Sequence, residues 1–170
     1  MTTVEFRAPW GRTVRVRTKV GLAIFAVIVL SAAFAIEVPL AFRLAAIGVP
    51  LLIVAASLAR SVRGYTLTEE AIIVQRGWGE THLPLAGLRS VTGEVDAMRG
   101  SMRLTANDGF FSITGWFWNR KLGRHRAFAT DLSRAVVLRY ADRTIVISPH
   151  DPQQFIMRAG TFIKIAGFPK

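Results

Sequence analysis

The residues best suited to chemistry lie in one stretch, from Gly109 to Arg126, where a group of aromatic side chains is followed by a group of basic ones. Five aromatic residues precede four permanent cations there, and no acidic residue lies between Asp108 and Asp131. Aromatic rings settle at the headgroup level of a membrane, and guanidinium groups bind phosphate. We therefore predict a membrane or anion contact formed by Trp116, Phe117, Trp118, Arg120, Lys121, Arg124 and Arg126.

Catalytic motifs are not found elsewhere in the sequence. His82, His125 and His150 lie far apart, and none belongs to a metal-ligand pair such as His-Glu-x-x-His. The chain has no P-loop and no Gly-x-Ser-x-Gly motif. It also has no cysteine, which excludes thiol catalysis, thiolate metal sites and disulfides. We expect no enzyme activity, no cofactor and no metal.

Two apolar runs near the N-terminus, Val20–Ile36 and Leu44–Ala59, contain no ionisable residue. Their lengths are near the lower limit of about 17 residues for a transmembrane helix. A helix of a soluble protein normally carries a polar stripe, and neither run has one. The sequence therefore predicts a basic juxtamembrane segment at 1–19, a two-span transmembrane hairpin at 20–59 and a single domain at 60–170.

The charges around the runs predict the topology. Five basic residues and one acid precede the first run, whereas the loop Glu37–Arg43 carries one charge of each sign. Lys and Arg excess marks the cytoplasmic side, so both termini should be cytoplasmic in a multi-pass protein of the bacterial cytoplasmic (inner) membrane. The alternative is that Ala33-Phe34-Ala35 is a cleavage site and the first run a signal peptide. The C-terminal domain is cytoplasmic under either interpretation.

The rest of the chain has the pattern of a strand meander. Short β-like segments recur from Tyr65 to Ser148, separated by turn residues such as Glu69-Glu70 and Asn107-Asp108-Gly109. A helix then begins near Asp151, a good N-cap, and Gly160 is a plausible end. The pattern predicts an α+β domain in which about seven antiparallel strands form a small barrel or sandwich with one C-terminal helix.

Several segments resemble bacterial pleckstrin-homology (PH)-like membrane proteins, over roughly Arg63 to Arg158. The resemblance rests on Tyr65–Thr68, Ala71–Gly77, Leu83–Val91, Gly109–Asp131 and Arg143–Phe155. It implies a PH-like fold, often preceded by a two-span anchor, that serves as a binding or assembly module.

One feature departs from the phosphoinositide-binding members of the wider fold. Those domains place basic residues in the loop between their first two strands, and here that loop is Thr68-Glu69-Glu70. Its acidic residues would repel a phosphorylated headgroup. The resemblance therefore does not imply phosphoinositide recognition at the usual position.

The domain is basic, with sixteen Lys or Arg against nine Asp or Glu from Arg60 onward, a net charge of +7. We expect it to dock on the inner leaflet, with the lipid bilayer and anionic headgroups as partners, and to recruit a protein or lipid ligand or a second copy. The alternative is an accessory subunit of a larger integral-membrane complex.

Two other interpretations fit the aromatic-basic stretch. The rings could fill the domain core while the cations form an ordinary solvated face. Stacking beside basic residues also holds single-stranded nucleic acid, but a membrane-anchored domain rarely meets nucleic acid, so no such partner is expected.

Overall fold

The computed structural model describes residues 3–165, so the outermost parts of the predicted first and last segments, 1–2 and 166–170, lie outside the described residues. Two long helices, α1 (Arg12–Phe34) and α2 (Leu40–Arg60), are long and apolar enough to cross a membrane. Only 11% and 6% of their most apolar windows are buried. A core helix of a soluble protein would be mostly buried, because its apolar side chains face other parts of the chain.

Four strands form the first sheet: β1 (Val4–Arg7), β2 (Val62–Leu67), β3 (Ala71–Arg76) and β4 (Glu80–Pro84). They lie in the order β1-β2-β3-β4, and every pairing is antiparallel. The sequence pattern predicts β2 to β4 but does not predict β1. The segment assigned to the juxtamembrane region therefore contains both a strand of the domain and the first two turns of α1.

Six strands form the second sheet, in the order β5-β9-β10-β8-β7-β6. Only the pairing of β10 with β8 is parallel. Among the described residues there are ten strands, more than the seven or so expected, because β1 is added and the aromatic-basic stretch from Gly109 to Arg126 contributes the β7–β8 hairpin. The six strands are β5 (Leu88–Gly93), β6 (Met102–Phe110), β7 (Ser112–Asn119), β8 (Gly123–Ala129), β9 (Val136–Tyr140) and β10 (Thr144–Ile147).

The turn between β6 and β7 lies later than Asn107-Asp108-Gly109, which belong to β6. Phe111 makes the turn with a positive φ of 65°, a conformation that is uncommon for a residue with a side chain. We call Phe110–Phe111 the β6–β7 tip. Its two rings contact each other edge to face, with centroids 4.6 Å apart.

The third helix, α3 (Pro152–Ile165), follows the second sheet. Asp151 is its N-cap as expected, since the side-chain Oδ1 accepts a hydrogen bond of 2.9 Å from the Gln154 backbone N–H. The helix continues through Gly160 and does not end there. Phe155 and Ala159 of this helix are buried in the main core, so packing on the sheets stabilises the helix through the glycine.

The two sheets enclose the main core, in which Phe6, Tyr65, Phe128 and Phe155 are buried. Tyr65 joins the layers through its hydroxyl, which donates to the Phe128 carbonyl oxygen at 2.6 Å and accepts from the Ser148 backbone N–H at 3.0 Å. Burial raises the pKa of Tyr65 to about 12. The hydroxyl is therefore a permanent hydrogen-bonding group between the sheets.

A second core cluster covers the other face of the six-stranded sheet. Ile113, Phe117 and Val146 are buried there together with Val14 of α1. The first turn of α1 is therefore part of the folded domain. Thr18, one turn further, accepts a hydrogen bond of 2.9 Å from the Phe111 backbone N–H.

Both long helices contact the strands of the domain. Phe110 at the β6–β7 tip packs against α1, with its ring centroid 5.7 Å from that of Phe25. At the end of α2, the Trp78 backbone N–H donates to the Ala59 carbonyl at 2.7 Å. A Cβ at Gly77 would overlap the Leu58 carbonyl oxygen, so this turn requires glycine for its close approach. These contacts hold the domain against the middle of α1 and the end of α2.

Arg43 closes the other end of the helix pair. Its Nε donates to the Ala32 carbonyl at 3.0 Å, and its Nη2 donates to the Ala33 carbonyl at 2.9 Å. The last carbonyls of a helix have no intrahelical partner. The guanidinium of α2 therefore caps α1.

Candidate functional site

The β7–β8 hairpin separates the predicted contact residues onto two faces. Trp116 pairs with Arg126, Phe117 with His125, and Trp118 with Arg124. Because side chains alternate along a strand, Trp116, Trp118, Arg124 and Arg126 share one face. Phe117 is on the other face and is only 2% exposed, so it is a core residue and not a surface contact.

Arg120 and Lys121 lie in the β7–β8 turn, at the opposite end of β7 from the tip that contacts α1. The first and last residues of β7 are seven positions apart, which corresponds to about 23 Å along the strand. Lys121 Nζ is 2.7 Å from Glu94 Oε2, and Arg139 Nη2 is 2.8 Å from Glu94 Oε1. The hydrogen bond from Lys121, followed by that from Thr92 and the nearby charges, lowers the pKa of Glu94 against the effect of burial. Lys121 is therefore compensated by a structural ion pair.

His125 lies beneath this surface, on the core side of β8. Its Nδ1–H donates to the Gly123 carbonyl at 2.9 Å, and Nε2 is 3.1 Å from Met98 Sδ. Burial lowers the pKa of His125, although the Gly123 carbonyl favours the charged ring. A neutral, structural role follows for this histidine.

We expect acid to destabilise the protein through His125. The unfolded chain has a histidine pKa of about 6.5, and the folded pKa is lower. The contribution of neutral His125 to the free energy of unfolding is complete above the pKa of the unfolded chain. It is lost as the pH falls toward the folded pKa, because protons bind preferentially to the unfolded state.

The measurement is the thermal midpoint from about pH 7.5 to about pH 5.5. The thermal midpoint of His125→Asn, which retains a side-chain N–H donor, should decrease less on acidification than that of wild type. His82→Asn, at an exposed histidine, serves as the control and should match wild type. An equal decrease of the thermal midpoint in all three proteins would contradict the prediction that acid destabilises the protein through His125.

The remaining face of the hairpin opens into a cleft between the two sheets. Arg126 from β8 meets Arg76 at the end of β3 and Arg60 at the end of α2, around a cavity of about 440 Å³. We call this cavity the arginine cleft. Its lining residues are Arg60, Arg76, Thr105, Ala106, Asn107, Thr114, Gly115, Trp116, Arg126 and Phe128.

Aromatic rings hold the guanidinium groups in place. Arg126 and Arg76 lie over the same ring, with Cζ atoms 4.7 Å and 5.8 Å from the Phe128 centroid. Arg124 lies just outside, with its Cζ 4.5 Å from the Trp116 ring. Stacking uses the flat faces of the guanidinium groups and leaves their N–H edges available to a ligand.

The positive charge in the cleft is uncompensated. No acidic residue is among the described residues that line it. Burial, followed by the charges of Arg126 and Arg60, lowers the pKa of Arg76. Arg76 Nη1 donates to Thr81 Oγ1 at 3.3 Å, while its Nε is buried without a hydrogen-bond partner. This arrangement favours an anion.

Sequence reasoning missed Arg60 and Arg76, because they join Arg126 only through the packing of the two sheets. The Gly77-Trp78-Gly79 turn was the available signal. It lies against the last turn of α2, and Trp78 is 85% exposed beside it. An exposed tryptophan at the end of an apolar helix is typical of the aromatic belt at a membrane interface.

Two other types of site receive no support in the part of the chain that the structure describes. No group of three or more His, Asp or Glu residues there is arranged to hold a metal ion. The acidic turn with Glu69 and Glu70 is at the opposite end of β3 from Arg76, about 20 Å along the strand. The arginine cleft is therefore distinct from the loop between β2 and β3.

Comparison with known proteins gives one match. A family model described as bacterial PH domain matches residues 63–160, which run from the second residue of β2 through β10 to the first part of α3. No curated protein and no solved structure matches the chain. The matched region leaves β1, α1 and α2 outside it.

Proposed function

Because this chain belongs to the bacterial PH domain family, we propose that it is a binding module anchored in the bacterial cytoplasmic membrane by the α1–α2 hairpin. PH-like domains are generally non-catalytic binding modules. The domain faces the cytoplasm and rests on the inner leaflet, where it recruits a protein or lipid ligand. The proposal assigns no chemical reaction to the chain.

The pairing of β1 with β2 carries this proposal. β1 precedes α1 and β2 follows α2, yet Phe6 lies opposite Tyr65 in one continuous sheet. The two strands can pair only if both ends of the helix pair are on the same side of the membrane. The five basic residues that precede the apolar run of α1, four of them in its first two turns, favour the cytoplasmic side for both ends.

Packing of α1 supports its retention in the mature protein. Val14 is fully buried and Thr18 hydrogen-bonds the β6–β7 tip. Cleavage after Ala35 would remove β1 together with both of these contacts. A signal peptide has no such role in the folded domain, so we assign α1 as a permanent span.

Docking on the leaflet is supported by exposed tryptophans beside the end of α2 and on the β7–β8 hairpin. Trp78 and Trp118 are exposed, and Arg124 lies on the same face as Trp118. A basic residue near an anionic leaflet contributes ~1 kcal/mol of attraction. The domain is already held at the surface by its helices, so even weak attraction is sufficient to orient it.

Cysteine labelling tests the topology, because the chain has no natural cysteine. Val38→Cys places a thiol between the two helices, and Asp142→Cys places one in the exposed turn after β9. In intact bacterial cells a membrane-impermeant maleimide should label Val38→Cys and not Asp142→Cys. Both should react after lysis, which controls for buried thiols. Labelling of Asp142→Cys in intact cells would contradict a cytoplasmic domain.

A further inference from the structure

We propose that the arginine cleft is a phosphate-binding site, and that its ligand is the phosphate of an anionic phospholipid headgroup. A soluble phosphate ester offers the same chemistry, so the test below separates the two sources. The lipid assignment rests on the proposed function, since it needs the cleft at the cytoplasmic leaflet. The phosphate assignment rests on the cleft alone.

The type and orientation of the side chains favour phosphate. An arginine presents N–H donors in a planar fork that matches two phosphate oxygens. Phe128 stacks against Arg76 and Arg126, and Trp116 is stacked by Arg124 and Arg126, so these forks are held by rings before any ligand arrives. Pre-ordered donors lose less conformational entropy on binding than free surface arginines.

The charge of the cleft points to the same ligand. Three guanidinium groups line it, and none of them has an acidic partner among the described residues that form the cavity. An isolated chain must therefore tolerate their mutual repulsion. A phosphate group relieves that repulsion and supplies an acceptor for the unpartnered Nε of Arg76.

The position of the cleft favours a lipid source. Arg60 belongs to the last turn of α2, the point at which an apolar helix reaches the headgroup layer. A second cavity of about 400 Å³ adjoins the cleft and shares Arg60 and Arg76 with it. Its other lining residues are Ala56, Ala59 and Trp78. A headgroup phosphate in the cleft would therefore leave an apolar path beside α2 for its acyl chains.

The experiment uses the full-length protein in a zwitterionic detergent. Native mass spectrometry measures retention of phosphatidylglycerol against phosphatidylcholine, and thermal melting measures stabilisation by inorganic phosphate, with sulfate-free chloride buffer of equal ionic strength as reference. The test variant is Arg76→Gln/Arg126→Gln. The matched control is Arg89→Gln/Arg99→Gln, which removes the same charge at two exposed residues outside the cleft.

Wild type and the control should retain phosphatidylglycerol in preference to phosphatidylcholine and should be stabilised by phosphate. The test variant should lose at least about tenfold in affinity for both probes, since each charge-assisted hydrogen bond contributes on that scale. Arg76→Lys/Arg126→Lys keeps the positive charge but not the planar fork of donors. Its affinity for the probes should lie between those of wild type and the test variant. In the chloride reference buffer the test variant should melt no lower than wild type, because relief of the repulsion offsets the loss of the hydrogen bond from Arg76 to Thr81 and of the contacts with the Phe128 ring.

Two results would overturn parts of the proposal, and they are distinguishable. A phosphate site is contradicted if wild type and the test variant bind both probes equally. If the test variant also melts lower than wild type in the chloride buffer, the two arginines have a structural role instead. Binding of inorganic phosphate without retention of phosphatidylglycerol contradicts the lipid source and leaves a site for a soluble phosphate ester. The topology labelling is independent of both results, so failure of the membrane assignment is recognised separately.

Discussion

Replacing Phe6 by alanine is expected to destabilise the domain by about 3–5 kcal/mol, the range for a buried phenylalanine. Phe6 is 5% exposed in the main core, and its ring meets that of Phe155 edge to face with centroids 5.1 Å apart. The substitution leaves a cavity between β1 and α3 that the surrounding strands cannot fill. Chemical denaturation of the full-length protein in detergent, followed by near-UV circular dichroism, measures the change.

Glu5→Ala is the matched control, because Glu5 is exposed on the same strand and its neighbours do not depend on it for packing. We expect it to change stability by less than about 0.5 kcal/mol. A Phe6→Ala protein as stable as Glu5→Ala would show that β1 does not belong to the folded domain. Both ends of the helix pair would then no longer be required to lie on the same side of the membrane.

Replacing Val14 by aspartate is expected to cost about 3–5 kcal/mol, because it places an unpaired charge in a closed apolar cluster. Val14 is fully buried between α1 and the six-stranded sheet, together with Ile113 and Phe117. The loss of this contact should release α1 from the domain. Limited proteolysis of the reconstituted protein, with cleavage between Pro9 and Thr18 as the readout, reports that release.

Val16→Asp provides the comparison, since it adds the same charge two residues away on an exposed side of the helix. Both substitutions alter the positive charge before the apolar run of α1 equally, so any effect on membrane orientation is shared. Val16→Asp should leave proteolysis unchanged. Equal sensitivity of the two variants would mean that α1 does not pack on the sheet.

These two residues also determine which form of the protein can be assayed. A chain shortened to residues 60–170 would lack β1 and Val14, and it would expose the apolar faces that they cover. Such a fragment is expected to bind vesicles non-specifically through the exposed core. Lipid specificity should therefore be measured only on the full-length chain.

Local sequence patterns predict the elements whose signals are contained within a few residues. The alternation in Tyr65–Thr68 and Ala71–Gln75 predicts β2 and β3, and the Asp151 cap predicts the start of α3. The family resemblance is confirmed over residues 63–160. In each case the side chains that define the element are neighbours in sequence.

Elements whose stability comes from distant partners were missed or misplaced. Val4–Arg7 is too short to be recognised as a strand by itself, and it is ordered by pairing with β2 some sixty residues later. The Gly109–Arg126 stretch resembles a loop because of its glycines and charges, but it contains β7, which pairs with β6 on one side and with β8 on the other. Gly160 did not end α3, because Phe155 and Ala159 bury the helix on the sheets.

The sequence by itself determined the two apolar helices, the basic character of the domain and its family, because hydropathy, charge and short-range periodicity are properties of residue type and order. Only the tertiary structure decided which cations act together. It assigned Phe117 to the core and Lys121 to an ion pair with Glu94, and it brought Arg60, Arg76 and Arg126 to one cleft. The physical reason is that electrostatic interactions and stacking depend on distance in space, and three separate elements supply these arginines.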